Sequence, residues 1–113
     1  MQNYKKLLEE WQSSSKRLMK ETPETMKAFG GFHHASVAKG ALDVKTKELV
    51  ALGTSITAHC EWCIAIHVKG CMDAGASRAE IMEAAWVAVL MGGGPALMYF
   101  QGVIQALDDF KAK

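Results

Sequence analysis

Apolar residues in this 113-residue chain recur at steps of three and four almost from end to end, and no stretch alternates apolar with polar residues as a half-buried strand would. That periodicity restricts the chain to packed helices. Tyr4, Leu7, Leu8 and Trp11 form the first such face. The stretch "TPE" then places a capping residue at Thr22, a first-turn proline at Pro23 and an acid at the positive helix end at Glu24. This second segment carries Met26, Phe29 and Phe32, and Gly30–Gly31 is expected to break or kink it. Asp43 caps a helix from about Val44 to about Ala58. A cysteine-bearing helix follows and stops near Gly75. Ser77 and Glu80 have capping-box spacing and open a helix through about Met91. "GGGP" breaks it, and Pro95 opens a last helix through about Phe110. The predicted architecture is all-α: a compact single domain, residues 1–113, of six or seven helices.

Composition bounds what such a domain does. Half of the residues are hydrophobic, which is enough for a real core, and a formal net charge of +1 with no long run of like charge argues against nucleic acid or an anionic membrane surface as the main partner. No apolar run reads as long enough to span a bilayer. The opening "MQNYKKLLEEW" is amphipathic and lacks the basic-then-apolar order of a signal peptide, so the expected location is the cytoplasm. In that reducing compartment paired cysteines are more often catalytic or metal-binding than structural. "GGGP" lacks the strand and the Lys-Ser/Thr ending of a phosphate loop and reads as a helix–helix turn. The seven methionines read as core filler and subunit contact.

All three cysteines fall in "HCEWCIAIHVKGC", residues 59–71. With Cys60 set at zero and a turn of about 100° per residue, Cys63 lies at about 300°, His67 at about 340° and Cys71 at about 20°, while Trp62 points away at about 200°. Cys60 and Cys71 are about 16 Å apart along an intact helix, too far to share one zinc ion. Cys60, Cys63 and His67 could offer three ligands, but no second ligand pair appears, and no metal or cofactor is assigned. A redox dithiol fits better. Cys60 and Cys63 form C-x-x-C, and a helix starting just before Cys60 puts both sulfurs in its first turn, where unpaired N–H groups favour thiolate. His67, four residues after Cys63, can approach its sulfur. Such a dithiol can be oxidised by peroxide or exchange with an outside disulfide. The alternative is an inert set of buried thiols beside Ile64 and Val68, and for Cys71 alone that reading is preferred.

Glu48 stands in "KTKELVALGTSI", a helix apolar nearly all round. A carboxylate there loses hydration. It could pair with a lysine such as Lys45 or Lys69. It could also serve the cysteine helix. If the chain folds back antiparallel near His59, Glu48 and His67 differ in level by only about 4 to 5 Å, and a Glu48–His67–Cys63 relay becomes possible. The turn lacks Gly and Pro, and Thr57 is a candidate cap for the second helix.

The stretch "KELVALGTSITAHCEWCIAIHVKGCMDAGASRAEIMEA" resembles the carboxymuconolactone decarboxylase superfamily in its alkylhydroperoxidase-D-like branch. A Glu, then C-x-x-C-x-x-x-H, then an "AGAS…EI" turn carry the likeness, with Glu48, Cys60, Cys63 and His67 in the matching positions. The resemblance implies an all-α fold with a helix break before the cysteines and a dithiol peroxidase acting on small hydroperoxides. It implies Cys63 as the attacking thiolate, Cys60 as the resolving one, and His67 with Glu48 as proton carriers. It also implies a homo-oligomer, a hexamer or trimer. Trp62 stands where the prototype peroxidase carries a second histidine, and this chain is shorter than the prototype, so neither its substrate entrance nor its lipoyl-type reductant carries over. A disulfide reductase, and a non-enzymatic structural or ligand-binding oligomer, are the alternative functions.

Overall fold

The computed structural model describes residues 2–112. These form five α-helices and no strand: α1 (Tyr4–Glu21), α2 (Pro23–Val37), α3 (Val44–Thr57), α4 (Glu61–Asp73) and α5 (Arg78–Asp109). Local chemistry sets most of the starts. Asn3 accepts from the Lys6 N–H at 2.9 Å, Asp43 from the Thr46 N–H at 2.8 Å, and Ser77 with Glu80 makes a reciprocal capping box. Thr22 departs from expectation. Its hydroxyl donates back to the Leu18 carbonyl and leaves the start of α2 to Pro23 and Glu24.

The expected count of six or seven helices becomes five. Gly30–Gly31 does not interrupt α2, which runs through both. The "GGGP" break is present, but as a reversal inside one hydrogen-bonded helix, with Gly93 alone outside helical geometry at φ 69° and ψ −151°. On a straight helix Trp86 and Phe100 would be about 21 Å apart. Their rings instead meet edge to face with centroids 5.1 Å apart, and Arg78 reaches Asp108 at 3.1 Å. The two arms of α5 therefore lie back to back. Contrary to the expectation from sequence, α5 is by length and composition long and apolar enough to cross a membrane. The reversal cuts it into arms of about 15 residues, about 22 Å each, short of a hydrocarbon layer of about 30 Å.

The core is one contiguous cluster in which Leu52 and Ile56 of α3, Ile64 and Val68 of α4, and Ile81, Phe100, Val103 and Leu107 of α5 are fully enclosed. Tyr4 and Leu7 bring α1 onto it, and Asp109 accepts from the Tyr4 N–H at 2.7 Å. No α2 residue is buried; α2 lies over the outer side of the molecule against α1 and α3. Several large apolar side chains remain exposed, among them Trp86, Val87, Leu90 and Met91 on the first arm of α5.

Candidate functional site

The site depends on the chain reversing between α3 and α4, and it does so without Gly or Pro. His59 adopts φ 56°, a conformation that side-chain-bearing residues rarely take. Its N–H donates to the Ile56 carbonyl and the Cys60 N–H to the Ser55 carbonyl, both at 3.1 Å. Those two bonds are the Schellman pattern, which usually places glycine where His59 stands. The His59 ring stacks on Tyr99, centroids 4.6 Å apart and planes within 5°, and this tertiary contact helps hold the unusual backbone. Thr57 is not the cap of α4; its hydroxyl bonds back to the carbonyls of Gly53 and Thr54.

Cys60 itself caps α4. Its sulfur accepts from the Cys63 N–H at 3.2 Å, and the two cysteines are joined as a disulfide with Cα atoms 5.2 Å apart. Both sulfurs thus sit in the first turn, at the positive end of the helix dipole. They differ in access. Cys63 lines a cavity of about 670 Å³ that Cys60 does not reach. Trp11, Met26, Phe29, Trp62 and Ile66 supply its apolar walls, and Ser14, Ser15, His33 and His67 its polar groups. Trp62 therefore does not point away from the site as the helical angle suggests. Its long indole reaches round from the neighbouring position and walls the cavity.

Antiparallel packing of α3 and α4 brings Glu48 to His67. Oε2 of Glu48 lies 3.3 Å from Nδ1 of His67, and both side chains are largely buried. With Nδ1 engaged, Nε2 is the nitrogen left for the cavity that His67 shares with Cys63. The lysine partners considered for Glu48 are engaged elsewhere: Lys45 with Glu80 at 2.9 Å and Lys69 with Asp73 at 2.6 Å. Glu48 also borders a second, adjoining cavity of about 390 Å³.

Cys71 has a different fate. It is fully buried, and burial first, with the nearby Glu48 charge second, pushes its thiol up to about 12. The structure thus brings Cys63 and His67 to one cavity, with Cys60 bonded to Cys63 and Glu48 hydrogen-bonded to His67 behind them, and leaves Cys71 in the core.

Sequence reasoning missed two members of this region. His33 of α2 lines the cavity, and its ring stacks loosely on that of His67, centroids 6.2 Å apart and planes at 24°. Met26, Phe29, Gly30 and His33 are spaced as one helical face, which was the available signal. Gly70 of α4 is the other: a Cβ there would overlap the Glu48 carboxylate.

Residues 23–106 match the model of the carboxymuconolactone decarboxylase family. A protein of Paracoccus denitrificans known as uncharacterized protein 4 in the cox locus is 40% identical over 82 residues, 73% of this chain and 74% of its own. Among solved structures, a carboxymuconolactone decarboxylase family protein from Legionella pneumophila superposes with TM-score 0.86 at 35% identity, covering 96% of this chain and 94% of that one. A Thermotoga maritima protein gives TM-score 0.87 at 31% identity, with 95% and 94% covered.

Proposed function

The chain belongs to the carboxymuconolactone decarboxylase family, and from that premise we propose that it is a dithiol peroxidase that reduces hydroperoxides. One observation carries the reading. Cys63, the redox-pair sulfur that opens onto the cavity, shares that cavity with a histidine whose other ring nitrogen is held by a buried carboxylate.

The chemistry runs as follows. His67 takes the Cys63 thiol proton, and Glu48 orients the ring and stabilises its charged form. The Cys63 thiolate attacks the peroxide, an S–O bond forms as the O–O bond breaks, and Cys63 becomes a sulfenic acid while the peroxide becomes an alcohol or water. Cys60 then displaces water from Cys63, giving the disulfide. An external dithiol restores the reduced pair. The apolar walls suit the organic part of a small hydroperoxide. The decarboxylase chemistry that names the family is not the reading for a site built on a cysteine pair. A second structure of the Thermotoga maritima protein carries the suggestion of a role in an antioxidative response, which agrees with this direction.

Two further readings belong to the proposal. The exposed Trp86, Val87, Leu90 and Met91 form an apolar face on α5, which supports assembly as a homo-oligomer, a hexamer or trimer. A cytoplasmic location suits a dithiol that must be reduced in each cycle. The test is oxidation of a supplied dithiol, such as dithiothreitol or dihydrolipoamide, with and without peroxide. Peroxide-dependent turnover is expected. Dithiol oxidation that proceeds only with a disulfide acceptor would make the protein a disulfide reductase instead.

A further inference from the structure

We propose that His33 on α2 is a second proton-handling residue of this site, the one that protonates the leaving oxygen of the peroxide. The proposal rests on the peroxidase reading and adds a catalytic group to it.

Three observations converge on His33. It lines the cavity onto which Cys63 opens. It also lines the adjoining cavity that Glu48 borders, so it stands where the two meet. Its ring faces that of His67 at 6.2 Å, near parallel. His33 is exposed to solvent, so it can recharge from water.

The chemistry needs such a group. With Nδ1 held by Glu48, the His67 ring has one nitrogen, Nε2, for the thiol proton, and that nitrogen is occupied when the O–O bond breaks. The leaving alkoxide needs a donor without a carboxylate partner. In the hydrogen bonds made among the described residues, Glu48 is the carboxylate paired with a histidine, and the pair is with His67. The His33 ring, 6.2 Å from that of His67, borders the same cavity and is the second imidazole within reach of a peroxide held there. The step balances. The thiol proton goes to His67, the S–O bond forms, the O–O bond breaks, sulfur is oxidised by two electrons, and the alkoxide takes a proton from His33 to become the alcohol. Exchange with water then returns one proton to His33 and removes one from His67.

The experiment compares two oxidants in single turnover of the reduced full-length protein: cumene hydroperoxide, whose leaving group is an alkoxide, and perbenzoic acid, whose leaving carboxylate departs without a proton. His33→Phe keeps an aromatic ring against His67, and His33→Asn adds no bulk. Both variants are expected to slow reaction with cumene hydroperoxide about tenfold or more, and reaction with the peracid by less than about threefold, the range left when general-acid help is not needed. His34→Phe, the neighbouring position outside the cavity, is expected to match wild type with both. Equal losses with the two oxidants, or no loss with either, would overturn the role of His33 while leaving the peroxidase reading intact. A wild-type protein inert to both would overturn the peroxidase reading and this proposal together.

Discussion

The Glu48 carboxylate lies in the space that a side chain on Gly70 would need. Gly70 sits inside α4, three residues after His67, where glycine is a poor helix former by about 1 kcal/mol relative to alanine. Its presence is explained by the carboxylate laid against the helix. Gly70→Ala should therefore keep or slightly raise thermal stability, because helix propensity improves and the flexible end of Glu48 can swing toward the adjoining cavity. The same change should slow Cys63 oxidation by about one to two powers of ten, as lost acid–base help does. Stopped-flow oxidation together with a melting curve checks both halves. An unchanged rate in a stable variant would mean that the placement of Glu48 is not used.

The hydrogen-bonded geometry of Glu48 and His67 predicts that they act as one unit. Glu48→Gln and His67→Phe should each slow peroxide oxidation by about one to three powers of ten, and the double variant should be little worse than the slower single one. Fully additive losses would assign Glu48 to holding α3 against α4. The rate of the His67 variant should also recover as pH rises toward the ordinary thiol value of about 8.5, since hydroxide then supplies thiolate without a base.

The unequal access of the two cysteines predicts their roles. Cys60→Ser should stop at a Cys63 sulfenic acid that dimedone labels, because Cys63 meets the cavity and the displacing thiol is gone. In Cys63→Ser, Cys60 should give little such label. The reverse pattern would exchange the roles.

Cys71 should be inert. Burial raises its thiol to about 12, so at pH 8 only about one molecule in ten thousand would carry a thiolate there, against a sizeable fraction for an ordinary thiol. Iodoacetamide at pH 8 should label Cys60 and Cys63 of the reduced native protein and spare Cys71 until denaturant is added. Raising the pH through the folded value favours the charged form, so labelling without denaturant should appear only at strongly alkaline pH. Cys71→Ser should leave peroxide turnover largely intact.

How much of this was legible in the sequence follows from range. Asp43, Ser77 and Glu80 act within one helical turn, and their caps appear as read. The Glu48–His67 pairing was also within reach, because two antiparallel helices joined by a short turn fix which levels meet. The turn itself was not. His59 holds a glycine-like conformation with help from Tyr99, forty residues on, and no local signal marks that contact. Gly30–Gly31 misled because two glycines weaken a helix by only about 1 kcal/mol each, which packing of α2 on its neighbours can offset. Trp62 misled because a helical angle describes where a side chain leaves the backbone, and an indole reaches well beyond that. His33 was legible only in part: Met26, Phe29, Gly30 and His33 share a helical face, but no periodicity says that this face borders a cavity with Cys63 and His67 of α4.

The most direct test is the intact mass of the reduced protein before and after one equivalent of cumene hydroperoxide, with peptide mapping and assay of the cumyl alcohol formed. The account predicts the loss of two hydrogens, localised to the peptide that joins Cys60 and Cys63, and one equivalent of alcohol. Free Cys60 and Cys63 with the peroxide unspent, or oxygen added at methionines while both thiols survive, would contradict it.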